Sequence, residues 1–159
     1  MSEPTRSIVK FLNAIGIDVR EGALHHSTFL PGVEVVAGTL VYDESELTYP
    51  GDLLHEAGHL ALMSPMLRHG AAGELKHPDP QSAEAAVIAW SYAAALHMGL
   101  DPGVVLHSGG YQGRSSALLQ MYGLGVYPGV GALIEYGMTG SGDSEPKERF
   151  PAMLKWLRT

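Results

Sequence analysis

The chain has no cysteine. Disulfides, thiolate metal sites and cysteine nucleophiles are therefore excluded, and any metal ion must be held by His, Asp or Glu. Positive charge is sparse as well, with 10 Lys and Arg against 17 Asp and Glu and a net charge of −7. No basic cluster offers the footprint that phosphate backbones require, so nucleic acid is not an expected partner. No apolar run reaches the roughly 18 residues of a membrane span, and the first residues do not read as a continuous apolar signal segment. A membrane partner is not expected, and a cytoplasmic setting is.

What remains is 159 residues, 45% of them hydrophobic, enough to bury the core of one domain spanning 1–159. The most informative stretch is Gly51-Asp52-Leu53-Leu54-His55-Glu56-Ala57-Gly58-His59-Leu60-Ala61-Leu62. As a helix, capped by Asp52 and stopped at Ser64-Pro65, it presents His55 and His59 on one face. Their imidazoles can then converge on one zinc ion at about 2.0–2.1 Å, with Glu56 beside them as a general base. Gly58 is costly inside a helix and implies close approach by a neighbouring element.

Elsewhere, Ile8, Phe11, Leu12 and Ile15 mark an amphipathic first helix opened near Pro4 or Thr5 and closed by Gly16. His25-His26 reads as a loop pair. Val33–Tyr42 is β-branched-rich and interrupted by Gly38, giving two short strands or one bulged strand, with a polar turn at Asp43–Glu46. Such a sheet edge beside the motif helix would let an extended substrate add as a strand.

Residues 66–80 read as a loop. Ser82 is positioned to cap an alanine-rich helix running to about Met98. Asp101-Pro102 opens a short helix, His107–Gly113 is a flexible connection, and helices follow from Ser115 to Tyr122 and within Pro128–Tyr136. Thr139–Lys147 looks disordered, and Pro151 begins a short C-terminal helix. The expected class is α+β, mainly helical, with a small sheet beside the motif helix.

A catalytic zinc takes three protein ligands and leaves one position open. Downstream candidates are His69, Glu74, His77, Asp79, Glu84, His97 and His107. Leu62 and Pro65 occupy the places where a metzincin extension needs glycine and histidine, which removes that branch. Glu84 is preferred because it sits on a helix, with His77 next, whereas His97 is too far along the same helix to share the ion. Tyr111, His107 and Tyr92 have the chemistry to stabilise an oxyanion, Tyr111 by swinging inward from its Gly-rich loop.

The run from Leu54 to Leu62, followed by Glu84-Ala85-Ala86-Val87-Ile88-Ala89-Trp90, resembles the ImmA/IrrE-type metallopeptidase domain over about Thr39 to Leu96. The resemblance implies a gluzincin-like fold, Zn2+ held by His55, His59 and Glu84, and Glu56 as base. Members are associated with cleaving repressor-type proteins, so a peptide or protein substrate is expected. The rival expectations are a metal-binding regulatory module without turnover and a zinc amidase acting on a non-peptide substrate. A structural metal would be closed by a fourth ligand, for which His77 or His107 is available.

Overall fold

The computed structural model describes residues 1–73 and 80–159, the side chains of 80–82 excepted. It is a mainly helical α+β arrangement with a three-stranded sheet. Helix α1 spans Glu3–Ile15, where Ser2 caps the first turn by accepting from Thr5 N and Gly16 closes the last in a left-handed conformation at φ 95°. Its Ile8, Phe11 and Leu12 are buried, as their spacing requires.

Strand β1 is Val19–Glu21, β2 is Val33–Val36 and β3 is Thr39–Tyr42. Two separate strands, rather than one bulged strand, occupy Val33–Tyr42. The two-residue turn between them holds both Ala37 (φ 47°) and Gly38 (φ 78°) in the left-handed region, the geometry that suits a tight hairpin. Gly38 is also crowded, because a Cβ there would meet the Arg68 carbonyl oxygen at 2.6 Å. β3 lies in the middle, parallel to β1 and antiparallel to β2, so β2 is an edge strand.

The motif stretch forms helix α2, Gly51–Leu62. It begins one residue before the expected cap, with Pro50 at the N-cap position. Asp52 does not cap the helix; it is buried at 5% exposure, and its carboxylate accepts a bond from His107. A Cβ at Gly51 would collide with the Val104 carbonyl, which draws this end of α2 against the turn at Pro102–Val104.

Residues 66–70 are not loop: after Ser64, helix α3 covers Pro65–Gly70. Proline at its first position needs no hydrogen-bond acceptor and therefore starts a helix as readily as it ends one. Glu74, His77 and Asp79 lie outside the described residues. Helix α4 runs Pro80–His97 and so starts before Ser82.

Helices α2 and α4 pack tightly at Gly58. A Cβ added there would lie 2.9 Å from Val87 Cγ1 and 3.3 Å from Trp90 Cε3. The residues nearest Gly58 are thus Val87, Trp90 and Ser91. Ser91 Oγ donates to Val87 O in its own helix (2.8 Å) and to Leu54 O across the interface (3.2 Å). Helix α5 follows at Ser115–Gly123 and α6 at Val130–Glu135. Among the described residues no helix is long and apolar enough to cross a membrane.

The C-terminal part departs from expectation twice. Thr139 is 2% exposed and donates to Ala152 O at 2.6 Å, while Gly140 N donates to Glu148 O at 2.8 Å. The segment expected to be disordered is therefore ordered by its own backbone bonds. From Pro151 onward there is no helix, because the backbone groups are engaged elsewhere. Leu154 N donates to Met138 O (2.8 Å), Trp90 Nε1 donates to Trp156 O (3.0 Å), and Arg158 N donates to Ala61 O (2.8 Å).

Arg68 completes this junction. Its guanidinium donates to the carbonyls of Leu60 (2.9 Å), Ala61 (3.4 Å), Met63 (2.9 Å) and Arg158 (2.7 Å). A helix end leaves its last carbonyls without partners, and one planar cation here serves the end of α2 and the C-terminal segment together.

The tight contact makes a direct prediction. Gly58→Val should lower unfolding stability by about 1–3 kcal/mol, because the added methyls overpack the interface with Val87 and Trp90. Denaturant midpoints of the two proteins measure it.

Candidate metal centre

His55 and His59 stand one turn apart on α2, and Glu84 sits on the same face of α4 as Val87 and Ser91, the residues that meet Gly58. The close helix contact therefore aims Glu84 at the two histidines. His55 Nε2 and His59 Nε2 are 3.2 Å apart, His55 Nε2 is 3.4 Å from Glu84 Oε2, and His59 Nε2 is 3.0 Å from Glu84 Oε1. Among the described residues this is the group of three or more His, Asp and Glu able to hold a metal ion, with its donor atoms all within 4.8 Å of one another.

The spacing fits a tetrahedral ion. Bonds of about 2.0–2.1 Å place neighbouring ligand atoms about 3.3 Å apart, close to the three separations here. The donor set, two imidazole nitrogens and one carboxylate, suits zinc and related divalent ions. The three donors come from two packed helices, and half of the Glu84 side chain remains exposed.

Electrostatics support the same convergence. Burial pushes the Glu84 carboxyl upward, but hydrogen bonds to His55 and His59 and their positive charge outweigh it, so the group lies well below the usual carboxylate range. A site that holds a carboxylate ionised against two imidazoles holds its negative charge where a cation would sit.

Glu56 follows His55 on α2 and lines a cavity of about 190 Å³ together with Phe29, Leu30, Val33, Val35 and Gly73. The edge strand β2 thus borders the space beside the motif helix. Val33 N donates to Leu30 O and Val35 O accepts from Gly73 N (2.8 Å), so the outer side of β2 already takes one backbone bond from a passing segment.

The remaining candidates are dispersed. The Tyr111 hydroxyl lies 3.3 Å from His55 Nδ1, on the side of the ring away from Glu84. Burial, reinforced by the charges of Asp52 and Glu84, raises that phenol well above its ordinary value, so it stays protonated. His107 Nε2 meets Asp52 Oδ1 at 2.9 Å and its ring stacks on Tyr49 at 3.8 Å, so it faces the helix start and not the ion site. Tyr92 belongs to an aromatic cluster with Tyr122, Tyr127 and Phe150.

His97 packs between Phe11 and Trp156 at 5.7 and 5.2 Å, at the far end of α4. His25, His26 and His69 are exposed, and His26 pairs with Glu34. Sequence reasoning missed the Asp52–His107 pair, because an Asp at a helix start reads first as a cap. The available signal was Pro50 before Gly51-Asp52, which allows the helix to begin earlier and turns Asp52 inward.

Comparison of the chain with protein-family models, curated proteins and solved structures finds no match. The site is therefore argued from its own geometry.

Purified protein freed of chelator should bind about one zinc ion per chain, and His59→Ala and Glu84→Ala should each abolish stoichiometric binding. At a free metal concentration 100 times Kd, the wild type should gain about 2.7 kcal/mol of stability, visible as a rise in Tm that neither variant shows. Elemental analysis and thermal melts check both.

Proposed function

We propose that the protein is a zinc-dependent peptidase in which His55, His59 and Glu84 hold the metal and Glu56 is the general base. The observation that carries this reading is the convergence of three donor atoms from α2 and α4 at tetrahedral spacing, with Glu56 on the next residue lining an adjoining cavity. When bound, zinc would supply Lewis acidity towards a carbonyl and lower the pKa of water in its open position to about 7.

The chain's own residues supply the rest. Glu56 accepts a proton from the attacking water and returns it to the leaving amine, a shuttle its flexible carboxylate can make without moving α2. His55 and His59 face the site through Nε2, and Glu84 contributes the anionic donor that strengthens cation binding. The cavity that Glu56 lines runs beside the edge strand β2, whose Val33 N and Val35 O are already bonded to Leu30 and Gly73, and an extended peptide lying in that cavity would bring a scissile carbonyl to Glu56. The metallopeptidase resemblance of the His55–His59 and Glu84 segments accords with this reading.

Glu56→Gln should retain zinc at wild-type stoichiometry while lowering peptide turnover by at least about 100-fold, the scale of a lost general base. Digestion of an unstructured peptide mixture, followed by mass spectrometry of the new termini, measures it. Equal cleavage by the variant would remove Glu56 from the mechanism. Absence of cleavage in the zinc-loaded wild type across peptide mixtures would leave a metal-binding module.

A further inference from the structure

The loop that carries Tyr111 is tied to α2 at two successive turns. At the first, His107 Nε2 donates to the carboxylate of buried Asp52 at 2.9 Å, with its ring stacked on Tyr49 at an interplanar angle of 6°. At the next, three residues along the helix, the Tyr111 hydroxyl reaches His55 Nδ1. His107 Nδ1 is buried and has no hydrogen-bond partner among the described residues, so the polar anchor of that ring is its Nε2 contact with Asp52.

The backbone between these contacts is demanding. Tyr111 and Gln112 are non-glycine residues held at φ 58° and 53°. Such left-handed positions are unfavourable for residues with a side chain and persist only where the surroundings over-determine them. The loop is also closed down on Tyr49, since any Cβ at Gly109 would penetrate that ring. The strained turn has one evident result, which is that it delivers a tyrosine hydroxyl to the back of a candidate ligand.

We infer that Tyr111 is a positioning residue for His55, and that the Asp52–His107 pair is the clip that holds its loop in place. This rests on the metal reading above. To face the ion through Nε2, a neutral imidazole must carry its proton on Nδ1. The Tyr111 oxygen lies where it accepts that proton, fixing the tautomer and the ring angle in the manner of an outer partner of a metal-bound histidine. Tyr111 therefore acts behind the ligand and does not face the substrate. The arrangement is reciprocal: the motif helix supplies Asp52 to a histidine of the loop, and the loop supplies Tyr111 to a histidine of the helix.

The test measures zinc affinity by chelator competition for the wild type, Tyr111→Phe and His107→Phe, with side-chain 1H–15N spectra of the zinc-loaded proteins. Tyr111→Phe removes one oxygen and keeps the ring, so the metal-free Tm should change little. Zinc Kd should weaken about 10–100-fold. The His55 Nδ1–H resonance, protected in the wild type, should exchange faster with water.

His107→Phe retains the stack on Tyr49 but frees the loop, and Kd should weaken roughly tenfold with the same spectral change. A Tyr111→Phe protein with wild-type Kd and an unaltered Nδ1–H resonance overturns the proposal while leaving the metal reading intact. A wild type that holds no zinc overturns both.

Discussion

Close packing of α2 on α4 at Gly58 is the constraint on which the rest of the site depends. Two helices with side chains at every contact lie about 8–10 Å apart, and Glu is a short reach for a donor that must approach two imidazoles from the neighbouring helix. Removing the side chain at Gly58 lets Val87 and Trp90 settle onto the backbone of α2, and Ser91 then bonds the Leu54 carbonyl. Glu84, one turn before Val87, arrives with its oxygens 3.0 and 3.4 Å from the two Nε2 atoms. The interface is hydrophobic in bulk, yet its closest point is set by the absence of a methyl group.

The site divides its labour between rigid and irregular structure. All three donors stand on helices, whose packing fixes their separations to within the tolerance that metal coordination needs. The residues that address the donors from behind, and those that border the adjoining cavity, belong instead to the loop 107–113 and to the edge strand β2 with its neighbours. A framework of this kind keeps the ion-binding geometry constant while the surrounding chain is free to differ in what it admits.

Much of this was legible in the sequence, and the legible parts share a property: they are local. The i, i+4 histidines, the Gly16 stop of α1, the Gly38 break between β2 and β3 and the Asp101-Pro102 turn each depend on neighbours in the chain, so their patterns announce them. Gly58 as a point of close approach was legible too, although nothing in its neighbourhood along the chain names Val87, Trp90 and Ser91 as what it meets. What escaped is long-range. Asp52 reads as a cap until His107, 55 residues later, is seen to claim it. Residues 151–159 carry apolar spacing that suits a helix, but their backbone groups are taken by Met138, Ala61, Trp90 and Arg68, partners that no local window contains. Arg68 itself carries no motif, only a position from which one guanidinium reaches four carbonyls.

That guanidinium has a bearing on how the protein comes into being. The end of α2, seven residues beyond His55, finds its last partners in Arg158 N and in an arginine that simultaneously grips the Arg158 carbonyl. During synthesis the motif helix and α4 emerge well before residue 158 does. The bonds that join the end of the motif helix to residue 158 can therefore form only after both histidines and Glu84 have been made.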